Sequence, residues 1–165
     1  MSDFVQIDQL IELGEYKLDT SVIKPKTKPK SSALFLHGGG PTSSKELYLP
    51  MAKALAKHEC ISLVFSYPGH GKSPGQIMGS SLAERTQITK ELATRLGFLP
   101  GTLLCGSSMG AHIAMRLVDS NFQRLALLVP AIYAAEAENV AFGPEFSQIL
   151  RKEGSFRKSK ALDSI

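Results

Sequence analysis

The chain has 165 residues, 43% of them hydrophobic and 21% charged, with a formal net charge of +4. That length and composition suit one folded domain with its own core and exclude a fibre or a disordered polar chain. The basic surplus sits in residues 24–30 and 151–160, and the first stretch has no interleaved aromatics. It therefore reads as solvated surface, with no nucleic-acid partner expected.

Residues 4–10 and 14–23 alternate imperfectly between apolar and polar, which predicts an N-terminal antiparallel pair joined near Gly14. A Lys/Pro/Ser/Thr loop follows, and then Ala33-Leu34-Phe35-Leu36 forms an apolar run of the kind expected for a strand buried on both faces. It ends in His37-Gly38-Gly39-Gly40. Residues 49–57 read as a helix with Pro50 in its first turn and Met51, Ala54 and Leu55 on one face. Residues 61–65 are the next buried strand, leading into the loop Pro68-Gly69-His70-Gly71-Lys72-Ser73. Ser80 is placed to cap a helix over 81–96, with Ile88, Leu92 and Leu96 at four-residue spacing.

The apolar run from Thr102 to Cys105 meets Gly106-Ser107-Ser108-Met109-Gly110 and passes into a helix with Ile113, Ala114, Leu117 and Val118 on its apolar face. The spacing G-x-S-x-G is that of a nucleophile elbow, in which a serine at a sharp strand-to-helix turn needs tiny residues two before and two after. Such a turn exposes the Ser108 oxygen and aims the Met109 backbone N–H, at a helix N-terminus, toward a developing oxyanion. Residues 125–130 form one more strand. Buried strands alternating with helices predict an α/β fold, a three-layer α/β/α sandwich with a mostly parallel sheet. In the tail, Phe146, Ile149 and Leu150 allow a short amphipathic helix, and residues 159–165 begin another.

Cys60 and Cys105 lie at the edges of apolar runs and read as buried reduced thiols, which fits a cytoplasmic setting. Met1-Ser2-Asp3-Phe4 lacks a signal-peptide pattern, and the longest nearly apolar run, residues 125–135, falls short of the roughly 20 residues that cross a bilayer. No membrane partner is expected. A nucleotide-binding reading fails on spacing, because neither glycine cluster completes a phosphate loop or G-x-G-x-x-G.

The antiparallel pair, the strand ending in His37-Gly38-Gly39-Gly40, the Pro68-Gly69-His70-Gly71 loop and the elbow, in that order, resemble the first two-thirds of an α/β-hydrolase. The resemblance implies Ser108 as nucleophile and the N–H groups of Met109 and Gly39 as an oxyanion hole, with Gly40 the weaker second donor. It also implies a general base downstream of Ser108, where the only histidine is His112, one helical turn along and poorly placed to take the serine proton. His37 and His70 match structural positions in the family, and His58 closes a surface helix. The downstream carboxylates Asp119, Glu136, Glu138, Glu145 and Asp163 do not follow an apolar strand as the family's acid does.

The expectation is thus a single α/β-hydrolase domain over residues 1–165 that is truncated, lacking the last strands with the acid and histidine. As a function it implies a serine hydrolase of a carboxylic ester or thioester, working through an acyl-serine and inactive or weak as this chain, with a small-molecule substrate and no metal or organic cofactor. The alternatives are a non-catalytic binding or interaction module and a split enzyme completed by a second chain. If residues 125–129 form the last strand, its unpaired edge favours a homodimer.

Overall fold

The structure, a computed structural model, describes residues 3–98, 100–119 and 122–153. The helix expected over 159–165 lies outside them. β1 (Phe4–Leu13) and β2 (Tyr16–Pro25) form the expected antiparallel hairpin, turning through Gly14 with φ of 58°, a left-handed conformation that costs glycine little. β2 pairs antiparallel with β4 (Cys60–Phe65), and β4, β3 (Ser31–Leu36), β5 (Leu103–Ser108) and β6 (Arg124–Pro130) then run parallel to one another. The order across the sheet is β1-β2-β4-β3-β5-β6.

Successive residues of the central strands feed two separate cores, which is why these strands read as unbroken apolar runs. Leu34, Leu36, Leu63, Phe65 and Leu104 face α2 (Leu82–Arg95), α3 (Met109–Arg116) and the apolar side of α4 (Pro144–Glu153). Ala33, Phe35, Val64 and Cys105 face the other way, toward Ala52 and Ala56 of α1 (Leu49–Ala56). The layers are therefore α/β/α, as expected, and both cysteines are buried free thiols. Among the described residues, no helix is long and apolar enough to cross a membrane.

Several local readings shift. α1 buries Ala52 and Ala56 instead of the face bearing Met51, which is 45% exposed. Two alanines four apart let the helix lie close on the sheet, whereas methionine would hold it off. The cap of α2 is Ser81, whose hydroxyl accepts from the Glu84 N–H while the Glu84 carboxylate accepts from the Ser81 N–H. Ser80, the expected cap, instead accepts from Arg85 Nε. Val118 lies beyond the end of α3 and is exposed.

A buried ion pair ties the hairpin to the loop leaving β3. Lys45, in a single 3-10 turn, donates from Nζ to Asp19 Oδ1 at 2.6 Å and to the Thr20 carbonyl at 3.2 Å. Both side chains are buried, and the second Asp19 oxygen has no hydrogen-bond partner among the described residues. Removing one partner of such a pair leaves an uncompensated charge in the interior. Lys45→Ala is therefore expected to cost about 3–5 kcal/mol in urea unfolding. Adding Asp19→Leu should restore a large part, and a Lys45→Ala loss below about 1 kcal/mol would show that the pair is hydrated.

Candidate active site

The junction of β5 with α3 is closer than any side chain permits. A Cβ on Gly110 would lie 2.0 Å from the Leu36 carbonyl oxygen, and one on Gly106 would lie 2.4 Å from the Gly110 carbonyl oxygen. Both contacts are to backbone and neither can be relieved by a rotamer change. Between the two glycines the chain turns through Ser108 at φ 50°, ψ −115°, a conformation that side-chain-bearing residues rarely adopt. Pairing with β6 shifts register here, Ser108 standing opposite Pro130, and the Ser108 carbonyl accepts from the Ala131 N–H at 3.1 Å. Ser108 is exposed although Gly106, Met109 and Gly110 are buried.

The glycine loop after β3 lies against this turn. A Cβ on Gly38 would approach Ser108 Cβ to 3.4 Å, and one on Gly39 would approach Met109 Sδ to 3.2 Å. Ser108, Met109 and Gly39, singled out in the sequence, are thus brought together, while Gly40 has only Ser43 Oγ within 4 Å of its Cβ position. His37 holds the loop. Its Nε2 accepts from the Tyr67 N–H at 2.9 Å, which leaves Nδ1–H to donate to the Gly38 carbonyl at 2.7 Å. Burial drives the His37 pKa down to about 3, so the ring is neutral at physiological pH. His70 lies 4.8 Å away, ring centre to ring centre, with its pKa also lowered by burial.

His112 Nε2 lies 2.7 Å from Glu138 Oε1, and the ring meets Tyr133 edge-on at 5.0 Å. Glu138 also faces Arg116 at 3.9 Å. His58 is exposed at the end of α1. His70 Nδ1 lies 3.2 Å from the Pro68 carbonyl oxygen, and among the described residues none of the rings of His37, His70 and His112 bonds Ser108. Glu136 and Glu145 are exposed, Asp119 caps the Phe122 N–H at 3.0 Å, and Asp163 lies outside the described residues. No group of three or more His, Cys, Asp or Glu side chains among the described residues could hold a metal ion.

Beside Ser108 opens a cavity of about 540 Å³, bordered by Gly39 and Gly40 and walled by Met78, Tyr133, Phe142, Phe146 and Leu150. Sequence reasoning missed this wall. Only Phe146 and Leu150 carried a signal, their helical spacing; Tyr133 and Phe142 stand in irregular segments where no periodicity marks them. Also missed was Arg85, wholly buried on α2. It donates to Ser80 Oγ, the Ile77 carbonyl and Met109 Sδ, and stacks 4.5 Å over the Phe142 ring. Burial lowers its pKa to about 10, which leaves it a cation at neutral pH.

A mixed sheet covered on both faces, with a strained serine turn at the end of a strand paired on both sides, defines the class: a hydrolase-type α/β sandwich. Residues 33–163 match the model of the alpha/beta hydrolase family, and the chain belongs to that family. Solved structures share the fold at low identity. A predicted CIB-like hydrolase from Thermoplasma acidophilum is 15% identical with a TM-score of 0.65, over 77% of this chain and 64% of that one. The thioesterase domain from the curacin biosynthetic pathway is 21% identical with a TM-score of 0.65, over 80% and 48%. The esterase EaEST from Exiguobacterium antarcticum is 19% identical with a TM-score of 0.63, over 95% and 57%. The chain thus spans less than two thirds of the length of each. A comparison with curated protein sequences finds no match.

Two outcomes follow from this geometry. Gly110→Ala should lose about 4 kcal/mol or more in urea unfolding, because backbone must move, whereas Gly39→Ala meets side chains alone, the tightest being the Met109 thioether at 3.2 Å, and should lose no more than about 1–2 kcal/mol. Equal effects would mean that the junction is not the tight point. For His37, the unfolded ring takes a proton near pH 6.5 and the folded ring only near about 3, so stability is lost as pH falls through that window. His37→Gln should flatten the decline in stability between pH 6.5 and 4. An unchanged slope would mean that the ring titrates normally in the fold.

Proposed function

We propose that Ser108 is the nucleophile of a hydrolase acting on carboxylic esters or thioesters through an acyl-serine intermediate. The observation that carries this reading is the strained, exposed placement of Ser108 between two glycines that tolerate no side chain, at the mouth of an apolar cavity. In the proposed sequence Ser108 Oγ attacks the carbonyl carbon while its proton passes to water at the exposed turn, which returns a proton to the departing alkoxide or thiolate. The carbonyl oxygen becomes an oxyanion held by the N–H groups of Met109 and Gly39, and the bond to the leaving alcohol or thiol then breaks. Water hydrolyses the resulting ester. The esterase and thioesterase among the structural neighbours support this reaction class.

The described residues bring no histidine to Ser108, so the proton has no preplaced acceptor there. Oxyanion stabilisation without a full triad leaves roughly 10³ to 10⁴-fold catalysis over water. This chain should accordingly react with activated acyl donors and turn them over slowly. The locked His112–Glu138 pair favours a second reading, a binding module that keeps the fold without catalysis. A fluorophosphonate separates the two. The hydrolase reading expects one adduct, mapped to Ser108 by mass spectrometry and absent in Ser108→Ala. No adduct, or one that persists in that variant, sinks it, and brisk ester turnover abolished by Ser108→Ala would contradict the missing-base account.

The proposal extends to assembly. Among the described residues β6 pairs with β5 alone, and Leu128 and Val129 are 46% and 88% exposed. An apolar edge strand of this kind supports pairing with a second copy of the chain. Light scattering should give a dimer at micromolar concentration that Leu128→Lys with Val129→Lys dissociates; a monomer at every concentration would refute it.

A further inference from the structure

The cavity beside Ser108 constrains what it takes. Its volume of about 540 Å³ falls within the usual range for small-molecule sites. Among the described residues no lining side chain is charged, and the lining residues that carry polar side-chain groups are Ser108, Ser147 and Tyr133, beside glycine backbone. The rest is an aromatic wall: Phe142 lies 4.4 Å from Phe146, and Tyr133 lies 5.7 Å from Phe146, ring centre to ring centre. Phe146 and Leu150, four apart on α4, and Met78 also line it.

The wall is backed by polar groups that fix it. Arg85 stacks against Phe142 and, at 5.6 Å, against Tyr67, so its charge meets the cavity only through an aromatic ring. His112 stands edge-on to Tyr133 and is tied to Glu138. A charged ligand group entering here would lose its water without gaining a partner, because the guanidinium is wholly buried and bonded to Ser80, Ile77 and Met109. An apolar chain loses nothing, and each methylene moved from water into such a wall improves binding roughly fourfold.

We infer that the substrate of this site is an uncharged ester or thioester carrying an apolar chain, which lies between Met78, the Tyr133–Phe142–Phe146 wall and Leu150. This rests on the reading of Ser108 as nucleophile. The chain belongs either to the acyl group or to the leaving group, and two ester series tell them apart.

Binding is measured first, without chemistry. N-phenyl-1-naphthylamine, a neutral dye that fluoresces in apolar surroundings, should bind the 165-residue chain and its Ser108→Ala variant equally. Octanamide should displace it and sodium succinate should not. Leu150→Trp, which fills the cavity from an outer helix, should abolish dye binding; Phe146→Ala, which enlarges it, serves where that variant fails to fold and should favour longer amides. Acylation of Ser108 is then followed by mass spectrometry with p-nitrophenyl acetate, butyrate, hexanoate and octanoate, and with ethyl, butyl and hexyl thioacetate. Rates that rise by roughly 10- to 16-fold with each two carbons in the first series place the chain on the acyl side, and the same rise in the second places it on the leaving group. Equal rates across both series, no dye binding, or displacement by succinate as good as by octanamide overturns the inference. Dye binding and octanamide displacement with no acylation by any ester overturns the nucleophile reading alone and leaves the apolar ligand class standing.

Discussion

The contact on which the site depends is backbone against backbone. α3 starts so close to β3 and β5 that only hydrogen fits at Gly106 and Gly110, and the turn between them forces Ser108 to a positive φ. A non-glycine residue in such a region costs on the order of 1–3 kcal/mol and persists only where its surroundings over-determine it. Here they do, since β5 is paired on both sides, with β3 and β6, and α3 and the residue that ends it bury Ile113, Ala114 and Leu117. Burying three such side chains outweighs the strain of one turn at roughly 1.5–3 kcal/mol for each of the larger two. The strain is thus affordable, and its product is a hydroxyl lifted out of an otherwise buried segment.

Around that turn the loops are held by buried polar groups, each satisfied differently. His37 is kept neutral by desolvation and spends both ring nitrogens on backbone, fixing the glycine loop to the chain leaving β4. Lys45 remains in the interior because Asp19 meets it, and so joins the following turn to the hairpin. Among the described residues no carboxylate hydrogen-bonds Arg85; neutral oxygens, a thioether and two aromatic faces receive it instead. Aromatic faces attract a desolvated guanidinium by about 2 kcal/mol. Together with three hydrogen bonds they allow a cation to sit beneath an apolar cavity without opening into it.

Much of this architecture was legible in the sequence because it rests on patterns with a fixed period or a fixed spacing. The apolar runs of β3, β4 and β5 announced a covered sheet, and the G-x-S-x-G spacing announced the glycine contacts around Ser108. What failed were choices between neighbours. Ser80 and Ser81 are the same residue type, and Glu84, three residues after Ser81, decides between them by closing a capping box there while Arg85 takes the Ser80 hydroxyl. Met51 looked like the buried face of α1, yet two alanines won because the sheet lies close. The cavity wall was illegible for a different reason: Tyr133, Phe142 and Phe146 meet in space from segments without a shared period. Arg85 had no sequence signal at all, since a charged residue on an amphipathic helix reads as solvated.

The central claim is that this turn presents Ser108 to a carbonyl whose oxygen is received by the backbone of Met109 and Gly39. It is tested most directly by a crystal structure of the chain after reaction with an alkyl fluorophosphonate. The account predicts a phosphorus–oxygen bond at Ser108, with the phosphoryl oxygen about 2.7–3.1 Å from both backbone nitrogens. A phosphoryl oxygen turned to solvent, or a phosphonyl group on any other residue, would contradict it.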